Sequence, residues 1–416
     1  MAAFSIALSA LSADSTAIDV VGNNLANLNT TGYKDTSVNF QDLMSQSLGG
    51  DSQVGMGIGQ VGTTTSFSQG TLQTTNGATD AAIQGNGFFV VTNAANQTLY
   101  TRDGSFQVDA NGSLVTATGQ NVQGWSAVNG TVNPNGPVGN LSVPLGAVIP
   151  ATATSAMSLA VNLNSQSAVG ASFSAPIQVI DSQGTTHTMT VDCTKSDTNT
   201  WTYNVTIPAA DLQTGGNTTL ASGTMTFDAN GNLEPPAGTA AGAVPAPQAI
   251  AVTGLADGAA NMNIAWSQFG STGNSLITQN SQTSAVGTAK QNGTAVGAVT
   301  GISLQNGGML VANYSNGQQV TVGQVALASI PNPQSLSSVG DNNLQTSAST
   351  GTISVCAANS GGVGQIVSGS LESSTVNMAT EFTNLLTYQN SYQAASKVIT
   401  TTDQLMQQTI ALIPNA

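Results

Sequence analysis

Residues 378–413 read MATEFTNLLTYQNSYQAASKVITTTDQLMQQTIALI, and this stretch organises the rest of the chain. Met378, Phe382, Leu385, Gln389, Tyr392, Ser396, Ile399, Asp403, Met406, Ile410 and Ile413 follow a 4,3 spacing, and eight of the eleven are apolar. Such a heptad seam is how one helix packs along another. Leu405 and Leu412 widen the apolar face. Asn377 suits the N-cap, Glu381 suits the positive end of the helix dipole, and Pro414 closes the helix. A helix over Met378–Ile413 would be about 50 Å long.

The other end of the chain offers a partner. Phe4, Leu8, Leu11, Ser15, Ile18, Gly22 and Leu25 repeat the spacing, and five of the seven are apolar. Asn29 and Gly32 supply the stop. Both helices are almost uncharged: Met1–Leu28 carries only Asp14 and Asp19, and Met378–Ile413 only Glu381, Lys397 and Asp403. A typical soluble domain is about 25 % charged. Polar faces built from Ser, Thr, Asn and Gln therefore point to helices largely hidden from bulk water. Two arrangements satisfy the pattern: an intramolecular coiled-coil hairpin, or a seam shared with other copies. Phe4, Leu8, Leu11, Ile18, Leu25, Phe382, Leu385, Tyr392, Ile399, Met406 and Ile410 are the expected assembly seam, and in a monomer the same residues would serve as core.

The chain of 416 residues has a formal net charge of −14, and its basic residues are Lys34, Arg102, Lys195, Lys290 and Lys397. Phosphate-backbone binding requires clustered Lys and Arg, so nucleic acid is not an expected partner. No apolar run approaches the length of a spanning helix, and the first Lys is Lys34, so neither membrane insertion nor an ordinary signal peptide is expected. Cys193 and Cys356 lie far apart and share no motif, and they read as two free, partly buried thiols, with a disulfide between them as the alternative.

Between the helices the chain reads as strands and turns. GGDSQVGMGIGQVGTTTSFSQG, residues 49–70, is a Gly-rich connector in which Gly57, Gly59 and Gly62 fall at dinucleotide-fingerprint spacing. No strand precedes it and no helix follows, so it reads as a flexible link. From Thr71 the period changes to two. Asp109-Ala110-Asn111-Gly112 and Asp228-Ala229-Asn230-Gly231 read as hairpin turns, with Asn and Gly taking the positive backbone angles. They lack the remaining ligands of a calcium loop. Soft composition near Pro144–Thr154 and aperiodic polar sequence over Gln279–Gly293 mark two boundaries. His187 is the only histidine and reads as a strand residue. One histidine and two remote cysteines do not make a usual zinc site. No nucleophile elbow, P-loop or catalytic pairing is visible. No enzyme activity, cofactor or metal is expected.

Three stretches carry a resemblance. SIALSALSADSTAIDVVGNNLANLNTTGYKDTSVNFQDL (5–43), LYTRDGSFQVDANGSLVTATGQNVQGW (99–125) and SLESSTVNMATEFTNLLTYQNSYQAASKVITTTDQLMQQTI (370–410) resemble the signatures of bacterial flagellar rod and hook proteins. PIQVIDSQGTTHTMTVDCTKSDTNTWTYNV (176–205) is similar to the inserted outer domain of the hook subunit, which shorter distal-rod proteins lack. YSNGQQVTVGQVALASIPNPQSLSSVGDN (314–342) also looks like the hook version, whereas Pro235–Gly293 matches poorly and the two cysteines depart from the family habit.

The resemblance implies a mixed fold. Long N- and C-terminal α-helices form a coiled-coil inner domain (1–30 plus 371–416), and residues 31–70 form the connector. Nested all-β domains follow: a middle one (71–146 plus 285–370) and an outer one (147–284). The implied role is the subunit of a curved helical tube that passes motor torque to the filament as a universal joint. The implied partners are further copies of the chain, the distal rod, the hook-filament junction protein, the hook cap and the flagellar type III export apparatus. The implied location is the extracellular flagellum, reached without a cleaved signal peptide. Other readings are another axial part, such as distal rod or junction, and a secreted β-rich adhesin or surface-layer protein.

Independently of the resemblance, sticky helices at both ends favour polymerisation, because a heterologous interface that does not close generates an open helical tube. The helices would line its axis and present uncharged polar side chains to a channel. The connector would let the domains shift as the tube bends.

Overall fold

The computed structural model describes residues 2–43, 46–47, 53–54, 57–59, 61–240 and 243–411. The predicted stop at Pro414, the last seam position Ile413 and much of the Gly-rich connector lie outside the described residues. Among these residues a helix stands near each end, α1 (Ala2–Ala26) and α2 (Met378–Ala411), and the sequence between them is β-structure with two short 3-10 turns.

The cap of α2 is the one expected: Asn377 Oδ1 accepts the backbone N–H groups of Ala379 and Thr380 at 3.0 and 3.3 Å. At 34 residues α2 is about 50 Å long. Helix α1 ends at Ala26 and passes through turns to Gly32, whose φ is +69°. One expectation is corrected. Phe4–Ala26 is long and apolar enough to cross a membrane by length and composition. Its Ser, Thr and Asn residues interrupt the large side chains, while Ala, Val, Ile and Leu keep the average apolar.

The chain divides into two compact units: Met1–Leu145, Gly301–Asn313 and Gln319–Ala416 form the first, and Gly146–Thr300 with Tyr314–Gln318 the second. In the first, an antiparallel sheet runs Met309–Tyr314, Gln319–Val325, Asn121–Val128, Phe88–Thr92, Thr98–Thr101, Asn343–Gln345, Ser337–Gly340. Phe88, Phe89, Val90 and Val91 are all buried, so this strand is covered on both faces. Phe88, Val90, Tyr100, Ala328 and Ile330 cluster on one side, while Phe89 meets Phe106 edge-on at 5.0 Å. Two short ladders bring the C-terminal chain back to the N-terminal one: Ala81–Gln84 with Gln365–Ser368, and Leu72–Thr74 with Ser370–Glu372.

Among the described residues, part of the connector is paired. Thr36–Asn39 pairs with Gly62–Thr65, and Ile58 N donates to Ser9 Oγ of α1 at 3.3 Å. Its fingerprint-spaced glycines lead into a strand, Gly62–Thr65, with no helix behind it.

The second unit is built from two sheets. Ser172–Ile180, Thr186–Asp197, Thr200–Thr206 and Thr219–Thr226 form an antiparallel meander. Ala156–Asn164 is central to the other sheet, pairing in parallel with Met262–Ser267 and Ile277–Asn280 and antiparallel with Ala285–Gln291. Strict alternation of buried and open positions along Ala156–Asn164 puts Met157, Leu159, Val161 and Leu163 inside. They share one core with Met189, Trp201, Met225 and Trp266 from both sheets. Tyr203 meets Trp266 edge-on at 5.2 Å, and Trp201 Nε1 donates to Gln279 Oε1 at 2.7 Å.

The boundary read over Gln279–Gly293 is corrected here. Ala285–Gln291 is a strand of the second unit, and six of its seven residues are exposed. An edge strand open on both faces carries no apolar alternation, which is why it looked aperiodic. The turn chemistry is also sharpened. Gly112 and Gly231 take φ of +84° and +78°, but Asn111 and Asn230 are not in the left-handed region. Asp109 and Asp228 hold the turns instead, each Oδ1 accepting two backbone N–H groups at 2.7–2.9 Å. Cys193 and Cys356 are both free, as read. Burial, then the charge of Asp192, pushes the Cys193 thiol up to about 12.

Candidate assembly surface

The two terminal helices lie against each other and run antiparallel. Asn24, near the end of α1, bonds Glu381 in the first turn of α2. Asp14 and Ala10, further back, share a groove with Tyr388 and Ala395. The stripe of α1 that turns inward is Ala7, Ala13, Asp14, Ala17, Val21 and Asn24, all buried. These side chains are small or polar, so the helices approach closely without a bulky apolar seam between them. Asn24 also fixes the start of the next segment: its amide donates to Thr36 O at 2.8 Å and accepts from Thr36 N at 3.1 Å.

Two carboxyl groups sit in this contact. Burial raises the pKa of Asp14. Burial raises that of Glu381 too, opposed by its bond from Asn24 and reinforced by the charge of Asp35. Glu381 Oε2 has no hydrogen-bond partner. Tyr388 lies between the two, and its ring meets Phe40 with centroids 5.9 Å apart.

The helix pair is stapled to the β-structure of its unit by a triad that sequence reasoning missed. Glu372 is fully buried and pairs with Lys34 Nζ at 2.6 Å and Arg102 Nη1 at 3.2 Å. The same carboxylate accepts Gly70 N at 2.7 Å. Lys34 also donates to Ser68 O at 2.6 Å, and Arg102 donates to Gly85 O at 3.0 Å and lies over the Phe88 ring. Every charge is therefore met by a charge and by backbone, the condition under which a buried ion pair is tolerated. Gly32 sits so close that a Cβ would fall 2.6 Å from the Arg102 backbone. A signal was available: two of the five basic residues, Lys34 and Arg102, fall inside the N-terminal and LYTRDG stretches.

Six of the expected seam residues are exposed on the helix pair and five are half-buried. Phe4 and Leu8 are 40 % and 49 % exposed, and Phe382, Tyr392, Met406 and Ile410 are also exposed. Leu11, Ile18, Leu25, Leu385 and Ile399 are half-buried. The inward stripe of α1 is offset by one position from the seam stripe, which leaves the large apolar side chains along its flank. Leu386 and Leu405, at 61 % and 63 %, add to the outward surface. From Asp403 to Ile410 every side chain of α2 is exposed.

In the second unit the strand reading of His187 holds but is incomplete. His187 is the second residue of the strand Thr186–Asp197 and is 4 % exposed, with Asp181, Asp211 and Asp257 around its ring.

Comparison with known proteins covers both ends and the middle. Residues 4–34 match the family described as flagella basal body rod protein, and residues 82–164 the D1 domain of flagellar hook protein FlgE/F/G. Residues 152–294 match the flagellar basal body protein FlaE D2 domain, and 367–412 the FlgEFG C-terminal family. The flagellar hook protein of Salmonella typhimurium is 32 % identical over 97 % of this chain and 98 % of its own. That of Escherichia coli K12 is 31 % identical over 97 % and 98 %, and that of Treponema pallidum 32 % over 95 % and 96 %. The crystal structure of Helicobacter pylori flagellar hook protein FlgE2 aligns with a TM-score of 0.49 at 14 % identity, covering 71 % of this chain and 99 % of that one. With such identity sustained along nearly the whole length of its relatives, the chain belongs to the bacterial flagellar hook protein family.

Proposed function

We propose that this chain, a structural subunit of the flagellar hook, polymerises through the outward apolar flank of its terminal helices into a curved helical tube. In that tube α1 and α2 form a coiled-coil inner domain with their counterparts in neighbouring copies, and the β-rich domains are carried outward in nested order. The tube acts as a universal joint that passes torque from motor to filament. The observation that carries this reading is the burial pattern of the helix pair. Small and polar side chains meet inside the chain, and Phe4, Leu8, Phe382, Leu386, Leu405 and Ile410 are left open. Large apolar side chains left exposed along a helix pair in this way mark an interaction site.

A copy-to-copy contact of heterologous type extends into an open helix. Uncharged Ser, Thr, Asn and Gln on the helices suit the lining of a channel for unfolded subunits. The partners in this reading are sister copies, the distal rod, the hook-filament junction protein, the hook cap and the type III export apparatus, and the site of action is the extracellular flagellum. Membrane insertion of α1 is not part of it, because Asp14 and Asn24 are buried on its inner face.

Replacing Leu8 and Leu405 by Asp in the native strain tests the proposal. Secreted, folded subunit without hooks on electron micrographs is the expected result. Normal hooks and swimming would refute it.

A further inference from the structure

Three turns of the second unit converge on His187. Asp181 precedes the turn before the strand Thr186–Asp197, Asp211 ends the short helix Ala209–Asp211, and Asp257 lies between the strands Gln248–Val252 and Met262–Ser267. His187 Nε2 is 3.2 Å from Asp181 Oδ2 and 3.7 Å from Asp257 Oδ2. Nδ1 is 3.3 Å from Asp211 Oδ2 but makes no hydrogen bond, although the side chain is only 4 % exposed. Asp181 is fully buried, and its Oδ1 accepts Gln183 N and Thr185 N at 2.8 Å each, which aims Oδ2 at the imidazole. The turns are tied to one another by Ala260 N to Ser182 Oγ at 3.0 Å and Ala256 N to Asp211 O at 2.9 Å.

We propose that Asp181, His187 and Asp257 bind a first-row transition-metal dication, with Asp211 orienting the histidine from outside. Three carboxylates around one imidazole leave excess negative charge at a site where Asp181 has no solvent, and the Asp181 and Asp257 carboxyl groups are themselves in contact. Two such groups side by side require a shared cation or proton.

The candidate ligand atoms lie within 4.8 Å of one another. The separations of His187 Nε2 from the two carboxylate oxygens, 3.2 and 3.7 Å, match ligands held at about 2.0–2.2 Å from a common ion. Imidazole with carboxylate favours zinc-like ions over calcium. A ligating histidine normally turns its second nitrogen to a carboxylate, and Asp211 Oδ2 is the carboxylate oxygen beside Nδ1. Asp257 and Asp211 retain 26 % and 29 % side-chain exposure, a route by which the ion enters and water completes its shell. Bound there, the ion joins a turn of the four-stranded sheet to a turn of the other sheet and locks the sandwich at one end.

The test uses the full chain in a Cys356→Ser background, stripped by chelator and dialysed against Zn2+. One bound zinc per chain is expected. The melting temperature of the second unit should rise by roughly 5–10 °C at free Zn2+ about 100 times the Kd. Asp257→Asn, at a partly exposed position, should lose both effects while keeping its β-sheet circular dichroism. Asp211→Asn should weaken zinc binding about 10–100-fold without abolishing it. Absence of stoichiometric zinc in the folded parent, as in a cluster closed by a proton alone, overturns the proposal. So does undiminished binding by Asp257→Asn.

Discussion

The second unit and the terminal helix pair solve the same problem in opposite ways. The second unit puts its largest apolar side chains inside: Trp201 and Trp266 are almost fully buried between two sheets, with Met189, Leu159 and Ile250 around them. The helix pair puts Ala7, Ala13, Ala17 and Asn24 inside and leaves Phe4, Leu8, Phe382 and Leu405 outside. The first region is satisfied by its own chain. The second exposes the kind of surface that association removes from water, at about 25 cal/mol per Å². The contrast therefore separates residues that make the fold from residues proposed to make the polymer.

The largest effect that sharpens this contrast is expected at Trp266. Trp266→Ala should destabilise the second unit by about 3–5 kcal/mol, read by denaturant unfolding. A loss under about 1 kcal/mol would mean the sandwich core is not the self-sufficient part. Glu372→Gln comes next. It leaves Lys34 and Arg102 buried without their counter-charge, and removing one partner of such a group costs about 3 kcal/mol. The measurement is loss of cooperative unfolding in the first unit, with the second unit unchanged. Equal loss in both units would break the assignment of the triad as the local staple.

The smallest effect is a pH dependence within the helix pair. Glu381 and Asp14 have raised pKa values in the folded chain, burial being the main cause. A raised carboxyl stabilises the docked helices most fully below the ordinary carboxylate range, and that contribution is lost as pH rises through the elevated folded value. Glu381→Gln should therefore resemble the parent near pH 4 and become the more stable of the two toward neutrality, in melting of the first unit. A difference that does not change with pH would show that Glu381 does not titrate against this contact.

Much of this architecture was legible in the residues. The 4,3 spacing marked both helices, Asn377 marked where α2 starts, and the Asp-Ala-Asn-Gly repeats marked two turns. What the spacing left open was which flank of each helix turns inward. Two stripes run one position apart on α1, and the inward one is made of alanines and polar residues that a search for large apolar side chains passes over. The Glu372 triad was invisible for another reason: its members come together from positions 34, 102 and 372, and only the fold makes them neighbours. His187 was read from its strand neighbours, whereas its three aspartates arrive on separate turns. The edge strand Ala285–Gln291 was missed because exposure on both faces erases the alternation by which strands are recognised.

The central claim is that the open flank of the terminal helices is completed by sister copies. The direct measurement compares monomer melting and polymer formation for purified Leu8→Ser/Phe382→Ser/Leu386→Ser protein. Three exposed positions should each change monomer stability by no more than about 0.5 kcal/mol, while tube formation is abolished at every concentration at which the parent assembles. A variant that melts far below the parent, or one that still forms tubes at the parent's concentration, would contradict the account.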